Sequence, residues 1–409
     1  MARSRIAPDG WRNAPRATPR KGKWMFRFND ELLLSADDRD LAQKKYPRVF
    51  FALDHPDLRA EFETVDRLAN AAKKRSRSIG CLTLVFAVAS LLTFPLEPLI
   101  TAASGATSVS LDLFKAIAIV GAVCGVLAII FGNLGLAFGK SKRRWLQMRL
   151  MTERMRQWQA QYITAHMPDI VAAAGSEAGR TGYVAARELA FERFKRSFLS
   201  QISSEYTKYT RREAVGHMGQ TIVDRAGQQA FWIDPAWAKA AARKLSEDQD
   251  GVLEEIFSAC EETRLLGQVQ YTNYILSSEG SFWSLPRKQI AMLGNTMFAL
   301  VLLAFLSNFL ALMIAIWPVP SFDQTVVGSF AIIFAILAVG TRSVEEGLHP
   351  QRELARMELY AAQVNAALQQ FTSSNSPGRK VDALKMLEKA STDEMIEFLD
   401  ANEHARFVL

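Results

Sequence analysis

Hydrophobic positions in this chain gather into four long uncharged runs, with amphipathic stretches between and around them. Ile79–Leu96 (IGCLTLVFAVASLLTFPL) and Ala116–Phe138 (AIAIVGAVCGVLAIIFGNLGLAF) form one pair; Ile290–Trp317 (IAMLGNTMFALVLLAFLSNFLALMIAIW) and Thr325–Gly340 (TVVGSFAIIFAILAVG) form the other. A helix needs roughly 20 apolar residues to cross a hydrocarbon core of about 30 Å, whereas runs of about 10 to 14 suit a buried helix of a soluble protein. The first three runs meet the spanning length, and the fourth is short but paired with one that does. The expected fold is all-α: an integral membrane protein of two transmembrane helical hairpins, four spans, with long cytoplasmic helices.

The stretches outside the runs keep a helical period. Residues 31–77 start a helix at Pro56 and Asp57, carry Leu58, Phe62, Val65 and Leu68 on one face, and lead straight into the first span. An exit helix over Lys142–His166 follows the first hairpin, and MPDIVAAAGSEAGRTG after it reads as a loop or hinge. In the middle segment Leu189, Phe191, Phe194, Phe198 and Ile202 lie along one stripe. Glu188 and Glu192 are placed to partner Arg187, Arg193 and Arg196 on a wet face. Asp234 and Pro235 start a further helix. The second exit helix covers Gln351–Phe371, SSNSPG reads as a linker, and Ser391 with Glu394 reads as a capping box before a short terminal helix. No alternating strand pattern stands out. The resulting division is a tail (1–30), a first hairpin unit (31–166, spans about 79–96 and 116–138), a cytoplasmic helical segment (167–260), a second hairpin unit (261–371, spans about 290–317 and 325–340) and a helical tail (372–409).

The two exit helices repeat a phrase. RMRQWQAQ (Arg154–Gln161) and RMELYAAQ (Arg356–Gln363) share Arg, Met, Ala and the final Gln, with Trp158 opposite Tyr360. Equivalent placement after a hairpin points to a duplicated unit. One expectation is that the two helices pack side by side, with Trp158 and Tyr360 buried between them and Arg149, Arg154 and Arg356 near the headgroups; the alternative has both rings lying independently at the headgroups as interfacial anchors, and Arg149 and Glu153 form an i, i+4 pair.

Charge orients the spans. Lys73–Arg77 (KKRSR) and Lys140–Arg144 (KSKRR) flank the first hairpin, and Arg287, Lys288 and Arg342 flank the second. The hairpin loops hold Glu97, Asp112 and Asp323 with no Lys or Arg, Lys115 being close enough to a helix end to snorkel. By the positive-inside rule both termini and the middle segment are cytoplasmic, in the inner membrane if the chain is bacterial. The net charge of +7 is concentrated in residues 1–30, with eight basic residues against Asp9 and Asp30. A Pro- and Arg-rich tail of that kind is expected to be disordered and to meet anionic lipid headgroups, with no nucleic acid implied.

Candidate chemistry is sparse. Cys81, Cys124 and Cys260 show no pairing or metal spacing, and no phosphate-loop, dinucleotide, nucleophile-elbow or zinc-protease motif occurs. Glu345 and His349, four apart, are too few to specify a metal. No enzyme, cofactor or metal site is expected. The spans carry more: Gly121, Gly125, Gly132, Gly135 and Gly139 make a close-packing stripe, for the first span or for another subunit. Asn133, Asn295, Ser307 and Asn308 are polar at membrane depth, where such groups usually face a bundle interior or a water path.

These hairpins, their basic flanks and the exit pattern Trp145, Arg149, Glu153, Arg154 resemble the SLATT membrane domains of bacterial conflict systems and their DUF4231-like relatives. RLLGQVQYTNYI is similar to the family's Arg, Gln, Tyr segment, here Arg264, Gln268 and Tyr271. The terminal segment resembles a tail found after such hairpins, keeping Glu394, Glu397 and Glu403 with Phe398 where Trp is common. The resemblance leaves residues 183–260 unexplained. It implies an oligomeric inner-membrane effector, pore-forming on activation in antiphage defence and triggered by a sensor, often a nucleotide-signalling partner. The rival expectation is a constitutive membrane scaffold or signalling adaptor acting through its cytoplasmic helices.

Overall fold

The computed structural model describes residues 30–103, 111–137, 139–196, 251–277, 280–317 and 323–404. Among these residues there are helices and turns and no strand. The first half consists of α1 (Ala36–Lys45), α2 (Phe50–Leu53), α3 (Pro56–Ala103), α4 (Leu111–Ala137) and α5 (Gly139–Ala165). α6 (Met167–Ala174) and α7 (Glu177–Phe194) follow. Then α8 (Val252–Cys260) passes through a π-helical turn (Glu261–Leu266) into α9 (Gly267–Leu276). α10 (Pro286–Ile316), α11 (Gln324–Leu348), α12 (Pro350–Ser373) and α13 (Pro377–His404) complete the chain.

α3 joins the two environments. It runs for 48 residues without a break, about 72 Å at 1.5 Å per residue. Pro56 begins it where an N–H would lack an acceptor. Leu58, Phe62 and Val65 are buried in the part of the helix outside the span, and Ile79–Leu96 carries no charge. Pro95 and Pro98 lie inside the helix, which runs past the apolar stretch to Ala103. The carbonyls they leave unbonded lie towards the outer end of the span, within reach of the headgroup region.

Among the described residues four helices are long and apolar enough to cross a membrane, and only 6–11 % of each apolar stretch is buried within the protein. Their surroundings are therefore the bilayer, and the protein is a multi-pass membrane protein. The spans form an open row in the order α4, α3, α11, α10. The glycine stripe settles the first contact. A methyl group at Gly121 would overlap the Thr93 hydroxyl, one at Gly125 would stand 3.1 Å from Ser90 Oγ, and one at Gly132 would stand 3.7 Å from Thr83 Cγ2. Ser90 Oγ also donates to the Gly121 carbonyl at 2.9 Å. The stripe thus packs α4 on α3 of the same chain. Gly340 gives α11 its approach to α3, since a Cβ there would lie 2.9 Å from Val88 Cγ2.

The helices outside the spans form one body. A continuous core runs from Leu32 and Val49 through Met155, Trp158, Phe191, Ile256 and Leu265 to Val364 and Leu387. Both halves contribute in the same way: α3 pairs with the exit helix α5, and α9 pairs with the exit helix α12. In the second half the break after the span falls at His349, held in the left-handed region at φ 46° between α11 and α12.

Several local expectations are corrected. The stretch after α5 is helical: Pro168 starts α6, Met167, Ile170, Ala173 and Ala174 are buried, and the Ser176 side chain caps α7 by accepting from Gly179 N. Burial of the small apolar side chains fixes what their composition left loose. SSNSPG is a tight turn, with Ser374 Oγ accepting from Ser376 N, and α13 folds back onto α12 and α5. The terminal segment is therefore part of the body, and Ser391 lies inside α13 instead of capping a new helix. Leu189 is exposed, off the buried Phe191 and Phe194 stripe. Phe198, Ile202, Asp234 and Pro235 lie outside the described residues.

Candidate functional site

The exit-helix arginines with Glu153, and Arg264, Gln268 and Tyr360, converge on a polar layer inside the body. Its centre is Arg264, presented by the π turn and 5 % exposed. The wider turn swings Arg264 and Leu265 together into the interior. Arg264 Nε donates to Glu388 Oε1 at 2.7 Å, and its Nη1 donates to Glu31 Oε1 at 3.1 Å. Glu31 also lies 3.7 Å from Arg156 Nε. Arg156 donates to Glu153 at 2.9 Å, and Glu153 accepts Arg149 at 2.6 Å. One chain of charge thus joins the start of the described chain, the first exit helix, the π turn and the terminal helix.

Two branches extend it. Arg154 Nη1 donates to Gln157 Oε1 at 2.8 Å, and Gln157 Nε2 donates to Thr392 Oγ1 at 3.1 Å. Tyr360 Oη donates to Gln268 Oε1 at 2.9 Å and lies 2.9 Å from Ser391 Oγ. Arg356 pairs with Glu353 and Glu394 and stands over the Phe398 ring, 5.0 Å from its centroid. Tyr271 packs, partly buried, at the edge of the same core. Gln268, Tyr360 and Arg264 are therefore neighbours in space, although Arg264 and Tyr360 are far apart in sequence.

Burial and charge compete across this layer. Burial raises the Glu153 carboxyl, yet Arg149, Arg156 and Arg264 outweigh it and hold the pKa below the usual carboxylate range. Glu388 goes the other way, because burial exceeds the help from Arg264. Burial lowers the Arg154 guanidinium to about 10, with Glu388 opposing, so it stays charged at neutral pH. One oxygen of Glu388, Oε2, has no partner among the described residues.

The side-by-side exit helices are not found. Trp158, 2 % exposed, packs in its own half against His55, Tyr162, Phe191 and Phe194. Tyr360 faces Gln268 and Ser391. α13 takes the intervening position, since it packs on both α5 and α12. Arg154 and Arg356 sit buried in the body and not at the headgroups. Arg187 is also inside, not on a wet face: its Nη1 donates to the carbonyls of Phe51 at 3.0 Å and Ala52 at 3.1 Å, capping α2. In the membrane, Asn295 and Asn308 are exposed and do not face the bundle; the Asn133 side chain lies outside the described ones.

Sequence reasoning missed Glu31, Arg156, Glu388 and His55. The Glu388 signal was present, as a charge interrupting the stripe Val381, Leu384, Thr392, Met395 at helical spacing. His55 offered no such signal. It is 2 % exposed, and burial, with Arg187 and Arg59 nearby, lowers its pKa to about 3. Chemically the layer is a clamp of fixed charges. Among the described residues no group of three metal-ligating side chains occurs. A shallow groove of about 300 Å³ lies beside the layer, between α12 and α13, lined by Arg356, Tyr360, Gln363, Asp393, Glu394 and Glu397. No protein family, curated protein or solved structure matches the chain. The resemblance to SLATT domains rests on the residues quoted for it.

Proposed function

We propose that this chain is an effector of bacterial conflict defence. It sits in the inner membrane with both termini cytoplasmic, and its copies assemble and breach the bilayer when a sensor acts on the cytoplasmic body. The observation that carries the reading is a mismatch in completeness. The body is closed, with a clamp of buried charge tying both halves together. The membrane part is an open row whose apolar stretches are almost wholly uncovered by the chain itself. Such a row encloses nothing alone; several rows side by side could enclose a path. Resemblance to SLATT domains supports the same reading, and the positive flanks support the orientation. No catalytic step is needed.

Induced expression in bacteria with a potential-sensitive dye tests it. Activation by the cognate sensor should collapse the membrane potential and stop growth. An intact potential with the sensor active and the protein fully inserted would favour the scaffold. Reporter fusions at Ser104 and Asp323 should read outside, and those at Gly227 and Leu409 inside. A cytoplasmic signal at Ser104 would overturn the orientation.

A further inference from the structure

The open row has two edges, and they differ. On α4 the glycines turn inward to the hydroxyls of α3, and the outward side shows apolar residues such as Ile119, Val123 and Ile129. On α10 the outward side carries an amide, Asn308, exposed and without a hydrogen bond to any described residue. Its depth follows from Trp317, the interfacial residue ending α10. Asn308 is nine residues before Trp317, about 14 Å along the helix, which is about half of a 30 Å hydrocarbon core. Asn295 is 22 residues before Trp317, about 33 Å, so it lies at the inner headgroups where water serves it.

We propose that α10 is the face on which a second copy of this chain docks, with the Asn308 side chains of the two copies hydrogen-bonded to each other at mid-bilayer. Hydrocarbon offers an amide neither donor nor acceptor, and leaving both unmet is unfavourable by several kcal/mol on transfer scales. A second amide offers both. An Asn side chain is donor and acceptor at once, so a two-fold contact satisfies each copy with the same residue. Phe305 and Leu312, one turn to either side, and Val301, two turns before, are exposed and apolar. They suit a dry helix–helix seam and not a water path. This interface rests on the assembly proposed above, not on the breach, so an effector reading that fails the dye test leaves it standing.

The test uses the full chain in phosphatidylcholine and phosphatidylglycerol vesicles, with energy transfer between donor- and acceptor-labelled copies. Asn308→Leu should weaken self-association about tenfold, in line with interhelical polar contacts in membranes, and Asn308→Gln should retain it. Because Leu makes the span more apolar, insertion and helicity should be kept. Asn308→Cys should give oxidised dimers beyond the wild-type background, and Ile119→Cys on the α4 edge should not. Unchanged association in Asn308→Leu would overturn the proposal. So would cross-linking through Ile119→Cys alone, or reaction of Asn308→Cys with an aqueous maleimide, which would mark a water path.

Discussion

The same kind of side chain meets opposite fates in the two parts of this molecule. In the body Trp158 is 2 % exposed and ringed by four aromatic neighbours. In the row Phe298 and Phe305 are 70 % and 65 % exposed. The body gains its stability by removing apolar surface from water. The row gains almost nothing that way, because lipid is as apolar as the neighbouring helix, and its contacts depend on close backbone approach and hydroxyl hydrogen bonds. Packing density is therefore a sign of medium here, not of importance.

The largest expected effect separates the two parts. Trp158→Ala should destabilise the body by about 3–5 kcal/mol, since the ring is fully enclosed. Phe298→Ala should leave denaturant unfolding of the body unchanged. Equal losses would mean that the row and body unfold as one unit. Combining Trp158→Ala with Tyr360→Ala should give an additive sum within about 0.5 kcal/mol, as the rings occupy separate pockets.

The clamp comes next. Arg264→Met leaves Glu388 and Glu31 without their buried partner and should cost about 3 kcal/mol. Adding Glu388→Leu should recover much of it, and thermal unfolding of the single and double variants would show whether charge or packing holds the layer.

The third effect is a pH dependence of the body. His55 is neutral in the folded state, with a pKa of about 3 against about 6.5 when unfolded. The unfolded chain therefore binds the proton first. This stability is fully present above about pH 6.5 and is lost as pH falls towards 3. By pH 5 the loss should be about 2 kcal/mol. Urea titrations at pH 7 and pH 5 would measure it, and in His55→Gln the difference should shrink. An undiminished pH dependence in that variant would assign it to other groups.

The smallest test compares two glycines. Gly121→Ala forces a methyl onto the Thr93 hydroxyl and should loosen the first hairpin by about 1 kcal/mol. Gly182→Ala in α7 meets open space and should stabilise the body by up to about 1 kcal/mol through helix propensity. Opposite signs in detergent melting curves are expected.

How much of this was readable follows the same boundary. The spans, their pairing, the run of α3 through the headgroup level and the exit helices came directly from period and length, because a bilayer imposes a fixed thickness. Arg264, Gln268 and Tyr360 were recognised as notable, but not as mutual neighbours. Contact between residues so far apart depends on how α9, α12 and α13 dock, which no local pattern encodes. Arg187 was misassigned for a related reason. Beside two glutamates a guanidinium resembles a surface ion pair, and only the loose carbonyls at the end of α2 draw it inward. Asn308 was read as facing the bundle on general grounds, and its position on the free edge emerged only once the order of the row was known.

α3 and the α11–α12 junction differ in continuity. α3 runs as one helix from the body into the bilayer, with Pro95 and Pro98 near its far end. The second half has an elbow at His349, where a residue with a side chain holds a left-handed backbone ahead of Pro350. Motion of the body would reach the bilayer directly along α3 and through that joint along α11.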